Sequence, residues 1–114
     1  MPYLRIQTNQ VVDAEAGQAL LRAASQRVAS ELGKPEKYVM VALESAVPMR
    51  FAGSDAPTAC LELKSIGLPE SRTPELSAAL CELLEQQLGI DQARIYIEFT
   101  DAPRSMWGWN GATF

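Results

Sequence analysis

The chain has 114 residues, 47% apolar by type and 21% charged, with 10 basic against 14 acidic side chains, two cysteines and no histidine. That is one domain's worth of chain, 1–114, able to bury about 65% of its extended surface in a core without metal or disulfide staples. Lack of imidazole excludes Ser-His and Cys-His dyads, His metal ligands and a His general base, and the scattered basic residues lack the stripe that tracks phosphates, so nucleic acid is not an expected partner.

Tyr3–Thr8 alternates Leu4 and Ile6 against Arg5 and Gln7 and predicts a strand. Ala14–Leu32 predicts a helix, with Leu20, Leu21, Ala24, Val28 and Leu32 at helical spacing and Gly33 as its stop. Tyr38–Ser45 places Val39, Val41 and Leu43 on one face of a second strand, and the turn-rich run 46–57 is a loop. Thr58–Ile66 alternates Ala59, Leu61 and Leu63 against Cys60, Glu62 and Lys64, a third strand. Pro69–Leu88 reads as a second helix, with Thr73 as N-cap, Pro74 at N1 and Leu76, Leu80, Leu83, Leu84 and Leu88 as its stripe before Gly89. Arg94–Thr100 is the fourth strand, and the tail 102–114, with Trp107, Trp109 and Phe114, is aromatic enough for an interface or a pocket wall.

The shift that carries Leu20 onto Leu76 also carries Ala24 onto Leu80, Val28 onto Leu84, Leu32 onto Leu88, Gly33 onto Gly89 and Val39 onto Ile95. One position more carries Leu4 onto Leu61 and Ile6 onto Leu63. The chain is therefore read as two copies of a βαβ unit, each with a right-handed crossover and parallel pairing. The expected fold is α+β: a four-stranded mixed sheet with both helices on one face. The other face, with Arg5, Gln7, Met40, Glu44, Glu62, Lys64, Tyr96 and Glu98, is mixed in character. That face and the open edges predict a homo-oligomer. No apolar run approaches the roughly 20 residues of a membrane span, and the start MPYLRIQTNQ lacks a signal-peptide core. No membrane association and a cytoplasmic location are expected. Cys60 and Cys81 form neither a CxxC nor a metal-ligand cluster and read as small buried apolar residues.

Pro2 directly follows Met1, and initiator methionine is normally removed ahead of proline. The result is a secondary amine at the start of a strand. A free α-amino group titrates near 7.7–8.0, and burial or a neighbouring cation lowers that, so this nitrogen can serve as the base that histidine does not supply. MPYLRIQTN at the start, GKPEKYV at 33–39, FAGSDAP at 51–57, SIG at 65–67, RIYI at 94–97 and GWNGATF at 108–114, in this order over essentially the whole chain, resemble the macrophage migration inhibitory factor family. That family belongs to the tautomerase superfamily, whose members use a catalytic amino-terminal proline.

The resemblance implies a β-α-β-β-α-β subunit assembled as a homotrimer, and keto–enol tautomerisation of a small aromatic 2-oxo acid such as phenylpyruvate without cofactor or metal. It implies Pro2 as the general base, Lys34 as the ligand of the substrate carboxylate and Ile66 as a backbone N–H donor to it. Tyr96 would come from the adjacent subunit, and Tyr3, Tyr38, Trp109 and Phe114 would wall the ring. Such a site suits the reaction, since enolate charge calls for a neutral base and a fixed donor aimed at the oxyanion. Glu98 stands where the better-known member of the family has an asparagine that reaches the distal hydroxyl of a bound phenol; a carboxylate can accept that hydrogen bond but cannot donate one. The family's CxxC falls on Thr58 and Leu61 with Cys60 between them, so thiol-disulfide exchange is not expected. The alternative reading is a cytokine-like interaction protein with a vestigial pocket and a protein receptor as partner.

Overall fold

The computed structural model describes every residue from Met1 to Phe114. Strand β1 (Tyr3–Thr8) alternates buried Leu4, Ile6 and Thr8 with half-buried Tyr3, Arg5 and Gln7, as its period-two sequence requires. Helix α1 (Ala14–Leu32) starts where the Asp13 carboxylate accepts from the Ala16 N–H at 2.8 Å. It stops at Gly33, whose φ of 61° is left-handed and costs least for glycine. Leu20, Ala24 and Val28 form its buried stripe. The chain returns as β2 (Met40–Glu44), and the second half repeats the plan with β3 (Ala59–Ile66), α2 (Thr73–Leu88) and β4 (Ile95–Ala102).

The four strands form one sheet in the order β2-β1-β3-β4. β2 lies parallel to β1 and β4 parallel to β3, each pair joined through its helix, while β1 and β3 run antiparallel at the centre. The register places Leu4 opposite Leu63 and Val41, and Ile6 opposite Leu61 and Leu43, so the apolar faces of all strands coincide under the helices. Leu4, Ile6, Leu61, Leu63, Leu76, Leu80 and Leu84 are 2% exposed or less and form the core with α1. Two βαβ units therefore share one sheet and one core, as the repeat predicts.

Four local expectations need correction. The strand expected from Tyr38 begins at Met40, because Pro35 starts a tight turn in which Tyr38 N–H donates to Pro35 O at 3.1 Å and Val39 N–H to Glu36 O at 2.9 Å. The helix expected from Pro69 begins at Thr73, after a separate turn over Glu70–Arg72. Thr73 is not a cap: its own backbone is helical, and its hydroxyl donates backwards to Glu70 O at 2.9 Å. The fourth strand runs on to Ala102 and starts after Arg94, which ends a turn. The tail adds an element of its own, a hairpin of β5 (Gly108–Trp109) and β6 (Ala112–Thr113), turned by Asn110 and Gly111 at φ 53° and 77°.

No helix covers the second face of the sheet. Across it Arg5 forms a two-toothed pair with Glu44 (Nε to Oε1 2.9 Å, Nη2 to Oε2 3.1 Å) and reaches Glu62 at 3.3 Å. Met40 and Tyr96, on the two edge strands, are each 65% exposed.

Candidate active site

The start of β1 sits at one end of this sheet. Pro2 is buried there, and its carbonyl accepts from the Met40 N–H at 3.0 Å, which extends the β1–β2 pairing to the first residues. Beside it opens a cavity of about 540 Å³ lined by Met1, Pro2 and Tyr3 from the amino end. Lys37, Tyr38, Val39, Met40 and Ala42 line it from the turn and β2, Lys64 from β3, and Trp107, Gly108, Trp109 and Phe114 from the tail. No acidic side chain lines it.

The hairpin explains why the tail ends here. Its tight Asn110-Gly111 turn folds Trp109 back so that the indole stacks on Phe114 (centroids 5.6 Å, planes at 15°). Tyr38 meets Trp109 edge-on at 6.0 Å, and Phe114 N–H donates to Trp107 O at 3.2 Å. Three rings predicted as walls thus form one surface facing Pro2, a shape suited to a flat apolar group.

Lys34 is placed by the end of α1. Its N–H donates to Ala29 O at 3.0 Å as part of the helix stop, and its ammonium donates to Ile66 O at 3.3 Å at the end of β3. Lys34 and Ile66 therefore meet each other at the amino end of the site, although neither lines the cavity itself. The α-amino group at Met1 is held below its ordinary value, first by burial and then by the positive charges of Lys34 and Arg104. A nitrogen at this end of the chain is thereby biased towards its neutral, proton-accepting form.

Of the predicted residues, Pro2, Tyr3, Tyr38, Trp109 and Phe114 share one cavity. Tyr96 and Glu98 do not join it within the chain. Tyr96 pairs with Cys60 and Cys60 with Gln7, so Tyr96 lies two strands away and, at about 3.4 Å per residue, about 17 Å along the sheet from Pro2. Its ring packs edge-on against Phe51 at 4.8 Å. Arg94 anchors the loop that carries Phe51 by donating to the carbonyls of Phe51, Ser54, Ala56 and Pro57 at 2.9–3.2 Å. Glu98 is exposed in register with Glu62.

Sequence reasoning missed Lys37, Lys64, Met40, Ala42 and Arg104. For Lys64 a signal existed: antiparallel pairing of the first and third strands sets it directly opposite Tyr3, the residue after Pro2.

Comparison with known proteins accords with this architecture. The family described as "Macrophage migration inhibitory factor (MIF)" matches residues 1–114. A macrophage migration inhibitory factor homologue of Brugia malayi is 41% identical over 115 residues, covering 100% of this chain and 99% of that protein. Among solved structures, the homologue from Prochlorococcus marinus is 50% identical with a TM-score of 0.93 over 98% of both chains. The Trichinella spiralis factor is 35% identical with a TM-score of 0.90 over 98% of this chain and 99% of that one. Its repeat, its sheet order and these matches along the full length make the chain a member of the macrophage migration inhibitory factor family, within the tautomerase superfamily.

Proposed function

We propose that this protein is a cofactor-free keto–enol tautomerase of arylpyruvate-like 2-oxo acids, with the nitrogen of Pro2, freed by removal of Met1, as general base. The observation that carries the reading is the placement of Pro2: buried, next to an aromatic wall, in a cavity whose lining has cations and no acidic side chain. A secondary amine there stays neutral more readily than in water, because burial and nearby positive charge both disfavour its protonated form. It takes a proton from the carbon next to the ketone, the electron pair moves onto the carbonyl oxygen, and the same proton is returned to give the other tautomer. Lys34 supplies the fixed positive charge for the substrate carboxylate, with the Ile66 N–H as the second donor. Tyr3, Tyr38, Trp109 and Phe114 hold the ring.

The reading includes a homotrimer. Tyr96 and Glu98 are out of reach of their own chain's Pro2, and two uncovered edge strands and an open sheet face are available to neighbours. In that assembly a neighbour's Tyr96 closes the pocket and its Glu98 accepts a hydrogen bond from a hydroxyl at the far end of the ring. The test is the rate of enol-to-keto conversion of phenylpyruvate by wild type and Pro2→Gly. Glycine keeps an amino-terminal amine but loses the ring that fixes it, so the expected result is a loss of at least about tenfold in kcat/KM, short of the roughly 10²–10⁴-fold that a positioned general base contributes in full. Equal rates would remove Pro2 from the mechanism.

A further inference from the structure

The uncovered sheet face is ordered in rows across the strands. The row nearest Pro2 is Met40, Tyr3, Lys64 and Thr100, and the next is Ala42, Arg5, Glu62 and Glu98. In the first row Lys64 is the one charged side chain, and it lines the cavity. Each of the other cations near the amino end is differently engaged. The Lys34 ammonium donates to Ile66 O, and the Lys37 ammonium lies over the Tyr38 ring at 5.0 Å. Arg104 is exposed and outside the cavity lining.

Lys64 has no such partner. Two carboxylates share its face, Glu62 two residues earlier and Glu98 on the neighbouring strand, yet it forms an ion pair or side-chain hydrogen bond with neither. Glu62 is instead held by Arg5 at 3.3 Å. Lys64 is half-buried, has no counter-ion within its own chain and faces a cavity that no acidic side chain of that chain lines; such an ammonium is a ready-made anion site, because the ligand supplies the charge that the chain withholds. Its Cα stands opposite Tyr3, one residue from Pro2, whereas Lys34 approaches from the end of α1. The two ammonium groups thus reach the amino end from different elements.

Building on the tautomerase reading, we infer that Lys64 is a specificity-determining residue that binds a second anionic group, so that the pocket favours 2-oxo acids bearing a carboxylate on the side chain as well as the α-carboxylate. Lys34 takes the α-carboxylate and Lys64 the other, on either side of the carbon that loses its proton. No atom or electron beyond those of the tautomerisation is required.

Both tryptophans of the chain, Trp107 and Trp109, line this cavity, so intrinsic fluorescence reports its occupancy without any turnover. The experiment titrates 2-oxoglutarate and 2-oxopentanoate, equal in chain length and differing in a terminal carboxylate or methyl, into wild type, Lys64→Met and Lys64→Arg. A charge-assisted hydrogen bond is worth enough for about tenfold in affinity. The wild type should bind the dicarboxylate about tenfold more tightly. Lys64→Met should bring the ratio of the two dissociation constants close to one, and Lys64→Arg, which keeps the charge, should retain most of it. A wild-type ratio near one, a ratio unchanged in Lys64→Met, or no response to the dicarboxylate where phenylpyruvate does quench overturns the inference. Should wild type fail to tautomerise phenylpyruvate while the fluorescence ratios behave as expected, the enzymatic reading falls and the anion site stands.

Discussion

Replacing Gly111 by alanine isolates how the aromatic wall is held. Gly111 has a φ of 77°, and a Cβ built there meets nothing within 4 Å, so the substitution acts through backbone conformation alone. Holding a residue with a Cβ in the left-handed region costs about 1–2 kcal/mol. The hairpin has little to set against this. It pairs Gly108 with Thr113 and Trp109 with Ala112, and its rings gain about 0.5–1.5 kcal/mol from each contact of Trp109 with Phe114 and Tyr38. A loss of 1–2 kcal/mol changes the ratio of docked to undocked wall about 5–30-fold. KM for phenylpyruvate should therefore rise about 3–10-fold. The hairpin lies outside the leucine core, so Tm should move by less than about 2 °C, whereas a loss of 1 kcal/mol felt by the whole domain shifts it by about 4 °C. Steady-state kinetics, thermal unfolding and the emission maximum of Trp107 and Trp109 measure the three effects. KM within twofold of wild type, or a Tm several degrees lower with KM unchanged, would refute the view of the hairpin as a locally held wall.

The remaining expectations concern charge, thiols and the core. Burial and the charges of Lys34 and Arg104 hold the Met1 α-amino group below its ordinary value; the Pro2 amine that takes its place at this end of the chain should be lowered by the same causes, so the acid limb of kcat/KM against pH should lie below the ordinary α-amino range, with activity lost as the pH falls through it. Removing one positive charge by Lys34→Gln should move that limb to higher pH, and a limb that stays in place or moves down would contradict the assigned cause. Cys60 and Cys81 are both pushed up, chiefly by burial, so at neutral pH iodoacetamide should alkylate them more slowly than free cysteine, as mass spectrometry can follow. Leu63 is fully buried at the centre of the sheet, and Leu63→Ala should cost about 2–5 kcal/mol in denaturant unfolding.

Much of the fold is written in period and punctuation. The alternation of Tyr3–Thr8 and the stripe of Ala14–Leu32 give β1 and α1 with their observed bounds. What local patterns miss is the short hydrogen-bonded turn, since Pro35 and Pro69 each delay the following element until the chain has closed an i to i+3 bond. The hairpin was legible in principle, because Asn110-Gly111 is the dipeptide that a tight two-residue turn demands. In the candidate site, Pro2 and the rings are singled out by their joint resemblance to the family. Lys64 and Met40 are legible only as members of the face away from the core, where a cavity wall and a solvated surface have the same sequence pattern. Tyr96 illustrates a different limit: the strand register keeps it from its own chain's Pro2, so the pocket role proposed for it requires a neighbouring chain.

The central claim is that one atom, the nitrogen of Pro2, does the work of the missing imidazole. The most direct measurement compares phenylpyruvate tautomerisation by protein whose mass shows Met1 removed with the same protein carrying one extra residue ahead of Pro2. The extension converts the amine into an amide, which is not a base, and leaves every side chain in place. The expected result is activity in the first and loss of at least about a hundredfold in the second, in line with removal of a positioned general base. Equal activity in both would contradict the account.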